Sequence, residues 1–537
     1  MIDGIAIIKQ LLKESSSCWL TRGALLSYFS TYGGRIEDLD PLIKEKRIIY
    51  YETEDLYTLP WIARAENTVC DNLLRLLYKR PAKQFSKQQV FDVIDKLEAG
   101  SKYKLHISQR EAIYVLANTN VGILTGGPGT GKTTVMDMME KTIRILIPGT
   151  SFANTAPTGK AANRLAESLH DNTCTVHKKF SVQEDGIPNS TRMPEDVLVI
   201  DESSMCDLNL MSNILPLLKD GQRIFFVGDI DQLPSVGKGA ILRDMIASGV
   251  IPVARLTKTF RQNNDSQLFT NIVNIREGRT PSAGDDFSIY QIPPKEVIES
   301  DEFKKSHPKV KSFEDTVMDT IRAKYLYGVK KYGIENVCCL IPYRKSGICS
   351  NIVSTFLQSF VNKQDKDKTF NFNHLEYSNE EEQKGKITGS YDISFAVGDL
   401  VMQLTNREEC ANGDIGKITA LLPDGDGVEA EFYGKTVQYT GSSLNELALA
   451  YSMTVNKSQG SEYSYVVMVL LDSHSRMLNR NILYTGITRA KKEVALIAQS
   501  DAVKQAVKVK ADTDRKTLLK EKLIALSAQY KYVYNIA

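Results

Sequence analysis

The sequence has almost no charge of one sign to spare: 67 Lys and Arg stand against 65 Asp and Glu, a formal net charge of +2. A uniformly basic nucleic-acid coat is thereby excluded, whereas a local basic channel is compatible with a near-neutral total. The 8 cysteines (Cys18, Cys70, Cys174, Cys206, Cys338, Cys339, Cys349 and Cys410) contain no Cys-x-x-Cys pair, and the 6 histidines do not cluster with them. A zinc ribbon is therefore not expected, and the thiols read as those of a reducing compartment. No apolar run reaches the ~18 residues of a membrane span. The apolar start of residues 1–15 soon meets charge and has no small-residue cleavage site, so no leader peptide is expected. No repeat of fixed period and no paired-carboxylate nuclease pattern is visible. What is present is 537 residues, 42% hydrophobic and 25% charged, the composition of a soluble cytosolic globular chain. At about 150 residues per domain that length suggests three or four domains.

Residues 1–62 read as a small module of their own. Helical periodicity runs from Ile5 to Leu12, Arg22 to Phe29 and Ile36 to Lys46, and Arg47 to Pro60 gives two β-rich runs about an acidic turn. Helices followed by a hairpin suggest a winged-helix-like module, which serves either DNA contact or packing. Residues 63–104 read as a helical linker. From 105 to 280 short apolar runs (VGILTGG, TSFANTA, VLVIDE, RIFFVGD) alternate with helical patterns, as in an α/β domain with a parallel sheet. A second α/β domain is expected over 281–390 and 446–500, carried by VCCLIPYR, YSYVVMVLL and EVALIAQ. A polar segment (Asn362 to Lys386) separates its halves from a run of short strands at 391–445 that looks like an inserted β-barrel. Residues 501–537 form a Lys-rich helical tail.

Gly126-Gly-Pro-Gly-Thr-Gly-Lys132-Thr133 fits the G-x-x-x-x-G-K-[ST] phosphate loop. Its glycines let backbone N–H groups wrap a triphosphate, and the following helix presents its positive N-terminus. Gly127, Pro128, Gly129, Thr130, Gly131, Lys132, Thr133 and Thr134 are the expected ATP contacts, with Lys132 on the β- and γ-phosphates and Thr133 on Mg²⁺. Such a loop needs an acid for the metal and a base for water. Asp201 and Glu202 end the apolar run Leu198-Val-Ile, so Asp201 is expected to hold Mg²⁺ and Glu202 to polarise the attacking water. Gln232, after Phe226-Val-Gly-Asp, reads as a γ-phosphate sensor or as a turn-capping amide.

The ordered motifs GGPGTGKTT, APTGKAA, IDESSM, GDIDQLPSVG, LTKTFRQ, SMTVNKSQGSE and YTGITRAK resemble those of superfamily 1 helicases, in particular the RecD-like/Dda-like class B branch, over about residues 105–500. LPWIARAEN (Leu59 to Asn67) is similar to the segment before the motor in that branch, and GDIGKI to its SH3-like domain. The resemblance implies an α/β fold of two RecA-like parallel-sheet motor domains, 1A and 2A. They carry an inserted SH3-like barrel, a short pin hairpin at 178–196 and the N-terminal winged-helix-like module. It also implies that Gln109 reads adenine, that Arg261 and Arg489 clamp the γ-phosphate from opposite motor domains, and that Gly460 and Glu462 contact the nucleotide. Members of the branch usually carry His where this chain has Asn456.

A single strand of DNA is expected to run over loops that follow strands, where α/β sheets present ligands, touching Pro157, Thr158, Lys160, His177, Thr454, Asn456 and Lys457. Between His177 and Asp201, Phe180 to Gln183 reads as one hairpin arm, Glu184-Asp-Gly186 as its turn and Ile187 onward as the return. Position makes it the pin, while an ordinary surface excursion is the alternative. The expected function is an ATP- and Mg²⁺-dependent, monomeric DNA helicase acting on single strands and forks in replication, recombination or repair, for which the resemblance implies 5′→3′ travel. A single-strand binding protein or other replication or recombination proteins are the expected protein partners, with no membrane. The expected setting is a bacterial cytoplasm, or a host cytoplasm if the chain is encoded by a bacteriophage. Two alternatives stand beside it: a translocase subunit of a larger nuclease or recombination machine, and a nucleotide-switched single-strand loader.

Overall fold

The computed structural model describes residues 3–534, apart from 102–103, 170–172, 183–187, 190–191, 261–265, 309, 311, 345–346, 364–368, 378–386, 424 and 512–514. The chain divides into two units, the first of Met1–Pro157, Ala161–Arg261 and Ala511–Ala537 and the second of Thr158–Lys160 and Gln262–Lys510.

In the first unit, Asp3 caps helix Gly4–Ser15 by accepting from the N–H groups of Ile5 and Ala6, and Thr21 caps helix Arg22–Tyr32. The expected helix from Ile36 to Lys46 is split into a 3₁₀ turn, Ile36–Leu39, and a short helix, Asp40–Lys44. Pro41 is the cause, since its ring is tolerated only in a first helical turn. Strands β1 (Leu20–Thr21), β2 (Ile49–Tyr51) and β3 (Leu56–Thr58) make a three-stranded antiparallel sheet ordered β1-β3-β2. Helix, strand, helix, two short helical segments and a hairpin thus follow one another in this module. Helix Pro60–Tyr78, read as a linker, is a wall of the unit: Ile62, Val69, Cys70, Leu73 and Leu74 lie in one hydrophobic core with the module and the large sheet.

That sheet comprises β4 (Val121–Gly126), β5 (Phe152–Ala156), β6 (Cys174–Thr175), β7 (Val197–Ile200), β8 (Arg223–Gly228) and β9 (Val253–Leu256). All six are parallel, in the order β6-β5-β7-β8-β4-β9. Strands covered on both faces need apolar residues at every position, which is why β7 and β8 read as continuous runs. Leu198, Ile200, Ile224 and Phe226 face one core, and Val197, Val199, Phe225 and Val227 face the other.

The second unit holds β10 (Phe287–Gln291), β11 (Val337–Ile341), β12 (Thr369–Tyr377), β13 (Ile387–Ala396), β14 (Leu400–Gln403), β15 (Ile415–Leu421), β16 (Gly427–Phe432), β17 (Lys435–Thr440), β18 (Leu447–Leu449), β19 (Ser452–Thr454), β20 (Tyr463–Leu470) and β21 (Ala490–Ala498). A five-stranded parallel sheet is ordered β10-β21-β20-β11-β19. Between β11 and β19 the chain inserts an antiparallel hairpin, β12-β13, and a five-stranded antiparallel sheet ordered β17-β16-β15-β14-β18. The segment read as polar, 362–386, thus contains a strand, β12, and the inserted sheet extends past 445 to Leu449. Helix Ser500–Lys508 stays in this unit, whereas helix Leu519–Val533 packs in the first unit against Pro60–Tyr78 and Ile241–Ser248. Among the described residues no helix is long and apolar enough to cross a membrane.

Candidate nucleotide site and DNA track

Strand β4 ends in the glycine loop, and Gly129 and Gly131 turn it with φ of 72° and 79°. A Cβ on Gly126 would meet Leu256 O at 2.9 Å, and one on Gly131 would meet Gln109 Nε2 at 2.6 Å. Thr130 Oγ1 donates to Gly127 O at 2.9 Å, and the Phe260 N–H to Gly129 O at 2.7 Å, so the loop is braced from inside and outside. Helix Lys132–Leu146 then begins with no side chain capping its first turn. Its orphan N–H groups, with Thr133 and Thr134 beside them, make an anion cradle. Lys132 Nζ donates to Gly126 O at 2.8 Å and Gly127 O at 3.1 Å, which holds the ammonium over the loop. Gln109 is buried against the same loop: its Nε2 donates to Thr130 O at 3.2 Å, and its Oε1 accepts from the His106 N–H at 3.0 Å. Gly131→Ala is therefore expected to displace Gln109 and strain the turn, weakening ATP affinity by about tenfold or more, as a strained left-handed residue costs about 1–2 kcal/mol. A binding titration with a fluorescent nucleotide checks it.

Asp201 follows β7, with its N–H on Thr155 O at 2.9 Å. Burial, and then the Glu202 charge, push the Asp201 carboxyl up to about 6, against the opposing pull of the Glu202 N–H, Lys132 and Arg164. Glu202 has φ of 49°, left-handed backbone that a glutamate rarely adopts, and its N–H donates to Asp201 Oδ1 at 2.9 Å. Both acids at this step are half-exposed. Gln232 is buried at 4% exposure after β8, with its N–H on Asp229 O at 3.3 Å. One sheet thus presents Lys132, Asp201, Glu202 and Gln232 at the ends of β4, β7 and β8, the carboxyl edge where parallel sheets bind ligands. Arg261 lies outside the described residues.

Two residues here were not foreseen. Arg164, on helix Gly159–Leu169, adds a positive charge acting on Asp201. Phe260 is 49% exposed although its backbone is tied to the glycine loop, and its ring centroid lies 6.1 Å from that of His106. A flat apolar face beside Gln109 suits a purine. An aromatic preceding the motif arginine was the available signal.

In the second unit Gly460 turns at φ of 76° and delivers Glu462, which pairs with Lys491 at 3.3 Å. Arg489 caps helix Arg480–Thr488 from the same corner. Its guanidinium, buried, donates to Thr485 O at 3.1 Å, Ser461 O at 3.2 Å and Thr488 Oγ1 at 3.3 Å. Thr454 ends β19, and Lys457 follows it in the 3₁₀ turn Asn456–Ser458, whose Asn456 is exposed. Lys457 Nζ donates to Asn412 Oδ1 of the inserted sheet, and both burial and the nearby Arg344 lower its pKa. Asn412 and Arg344 therefore join the polar row around Lys457, a placement that no local pattern signals.

Pro157, Thr158 and Lys160 follow the carboxyl end of β5, and His177 is exposed on the short helix Val176–Lys179. Beyond it Val182 pairs antiparallel with Pro188, and the Asn189 N–H donates to Ser181 O at 3.1 Å. The hairpin turn, expected at 184–186, lies outside the described residues. Phe180 is not part of an arm as expected: its ring is buried, and its N–H closes the preceding helical turn on Val176 O at 3.1 Å.

Residues 104–290 match the AAA domain family and residues 449–497 the UvrD-like helicase C-terminal domain family. The chain is similar to the ATP-dependent RecD2 DNA helicase of Deinococcus radiodurans, 29% identical over 444 residues, which cover 81% of this chain and 54% of that protein. It is also similar to the RecBCD enzyme subunit RecD of Mycolicibacterium smegmatis, 27% identical over 477 residues, 83% of this chain and 78% of that protein. A crystal structure of the Pif1 helicase from Bacteroides in complex with ADP-AlF3 and ssDNA aligns with 80% of this chain and 98% of its own, at 16% identity and a TM-score of 0.41. With an AAA match over residues 104–290 and a UvrD-like helicase C-terminal match over 449–497, the chain has RecD-like helicases among its homologues.

Proposed function

We propose that the chain is an ATP-driven DNA helicase that travels 5′→3′ on a single strand and separates duplex DNA ahead of it. The observation that carries this reading is the gathering of Lys132, Asp201, Glu202 and Gln232 on one sheet edge beside an uncapped helix N-terminus. The loop N–H groups and Lys132 bind the phosphates, Gln109 and the Phe260 face hold the base, and Glu202 accepts a proton from the attacking water. Arg261 and Arg489 neutralise the γ-phosphoryl oxygens, and Gly460 and Glu462 complete the nucleotide contacts. Among the described residues no cluster of three or more His, Cys, Asp or Glu forms a dedicated metal cage. One carboxyl and one hydroxyl, Asp201 and Thr133, fit Mg²⁺, which keeps most of its waters and supplies charge neutralisation for phosphate oxygens.

Pro157, Thr158, Lys160, His177, Thr454, Asn456 and Lys457, with Asn412 and Arg344, contact the strand through backbone phosphates and without reading sequence. Peeling a base pair costs about 1.4 kcal/mol in stacking, well within a nucleotide-driven step. The cytoplasm is the proposed setting, and single strands and forks are the proposed substrates of a monomer.

The test is unwinding of 5′-tailed against 3′-tailed duplexes with ATP hydrolysis measured in parallel. Separation of the 5′-tailed duplex alone is expected. DNA-stimulated hydrolysis without strand separation would instead favour a translocase subunit, a reading to which similarity with a RecBCD subunit lends weight. Binding to single strands with no turnover would favour a nucleotide-switched loader.

A further inference from the structure

The segment from Ala511 onward returns to the first unit, and on its way Arg515 crosses the loop that follows Gln232. Its Nη2 donates to Ser235 O at 2.7 Å, and its Nη1 to Gly239 O at 2.9 Å and Gly237 O at 3.1 Å, with Ser235 Oγ at 3.4 Å. Converging carbonyls from one turn suit a rigid guanidinium fork, whereas an ammonium is a point donor on a flexible stem. The turn is tight: Gly239 has φ of 89°, and a Cβ on Gly237 would lie 1.9 Å from Asp207 Oδ2.

Other parts of the unit grip the same loop. Lys238 Nζ donates to Leu12 O at 2.8 Å, the Gly239 N–H to Ser16 O at 3.1 Å, and Ser16 Oγ to Val236 O at 3.3 Å. The tail is itself anchored on the N-terminal module. Lys516 O accepts from the N–H groups of Cys18 at 2.9 Å and Trp19 at 3.1 Å. The buried Glu66 carboxylate accepts from Lys522 Nζ at 2.7 Å, the Leu518 N–H at 2.9 Å and Trp19 Nε1 at 3.0 Å.

We propose that Arg515 is a positioning residue for ATP hydrolysis: by fixing the backbone of residues 235–239 it sets the placement of Gln232, so that tail, N-terminal module and sensor loop act as one piece. This rests on Gln232 being the γ-phosphate sensor. A buried amide that must meet a phosphoryl oxygen tolerates little displacement, and a misplacement of about 1 Å costs up to about a hundredfold in rate.

The experiment uses the full chain and measures kcat and KM for ATP with single-stranded DNA present, together with Tm. Arg515→Ala is expected to lower kcat by about ten- to a hundredfold, with KM within about threefold. Arg515→Lys should recover part of that loss, and it replaces Arg515→Ala in every comparison if the alanine variant does not fold. Lys522→Ala, which loosens the tail at Glu66 away from the loop, should lower Tm but keep kcat within about twofold. In a Gln232→Ala background the Arg515 substitution should slow hydrolysis no further, because both act on one element. Full additivity with Gln232→Ala, an equal kcat loss in Lys522→Ala, or unchanged kcat in the Arg515 variant would each reduce Arg515 to a staple of the fold. A wild-type chain without turnover would overturn the ATPase reading itself and this inference with it, whereas a wild-type chain that turns over beside a full-speed Arg515 variant overturns this inference alone.

Discussion

Lys132→Ala is expected to lower DNA-stimulated ATP hydrolysis by about 10³-fold, because a preorganised donor aimed at developing charge contributes about 10²–10³ and this one also carries a full charge. The fold has little reason to respond. Lys132 is the first residue of helix Lys132–Leu146, whose hold on the core comes from Val135, Met136, Met139 and Ile143, and alanine favours a helix at least as well as lysine. The lost contacts are two hydrogen bonds to loop carbonyls, Gly126 O and Gly127 O, which water can replace at this half-buried position. Tm should therefore move little. Single-strand binding should stay within a few fold, since the proposed strand contacts are on other loops. A steady-state assay beside a binding titration separates these outcomes. Sustained turnover in the variant would remove the glycine loop from the mechanism, and a loss of strand binding equal to the loss of turnover would mean that Lys132 touches DNA.

Much of the first unit was legible because its central strands are buried on both faces. Runs such as Val197–Ile200 and residues 224–227 carry apolar side chains at every position, and each ends where the chain turns polar. The placement of the phosphate loop, Asp201, Glu202 and Gln232 on one sheet edge was legible for a related reason, since each follows the carboxyl end of such a strand. The edge strands β6, β9, β10 and β19 were not anticipated. They span two to five residues, too few for a period to show, and take their places from hydrogen bonds to a neighbour already in position. Strand β12 hid inside a segment whose average is polar, because a hairpin paired only to β13 needs no apolar face throughout. Arg164 and Arg515 had no local signal at all. Arg515 meets Ser235 across a separation of 280 residues, so its role exists only once the tail has folded back. Helix Pro60–Tyr78 looked like a spacer because its length and amphipathicity suit a connector, yet its apolar stripe is covered on both sides by parts of the same unit.

Glu202→Gln is expected to bind ATP as well as the wild type and to hydrolyse it about 10²–10⁴ times more slowly, the usual contribution of a positioned general base. Two features of the site make this the sharpest test of how its adjacent acids divide their work. Both acids are half-exposed at the sheet edge, but Asp201 lies within the influence of Lys132 and Arg164, the arrangement of a group that holds a cation near phosphates, whereas Glu202 sits one residue on, at the left-handed step. The left-handed backbone at Glu202, φ of 49°, is retained in glutamine because the strain resides in the main chain, so the substitution removes a charge and a base without moving the turn. It also removes the neighbouring negative charge that, after burial, helps raise the Asp201 carboxyl, so Asp201 ionises more readily and cation affinity should hold or improve. Asp201→Asn should behave in the opposite way, losing Mg²⁺-dependent nucleotide affinity before any effect on chemistry can be read. Nucleotide titrations with and without Mg²⁺, followed by single-turnover hydrolysis, distinguish the two variants. If Glu202→Gln loses ATP affinity while Asp201→Asn keeps it, the roles are exchanged: Glu202 holds the metal, and Asp201, whose carboxyl is pushed up to about 6, takes the proton.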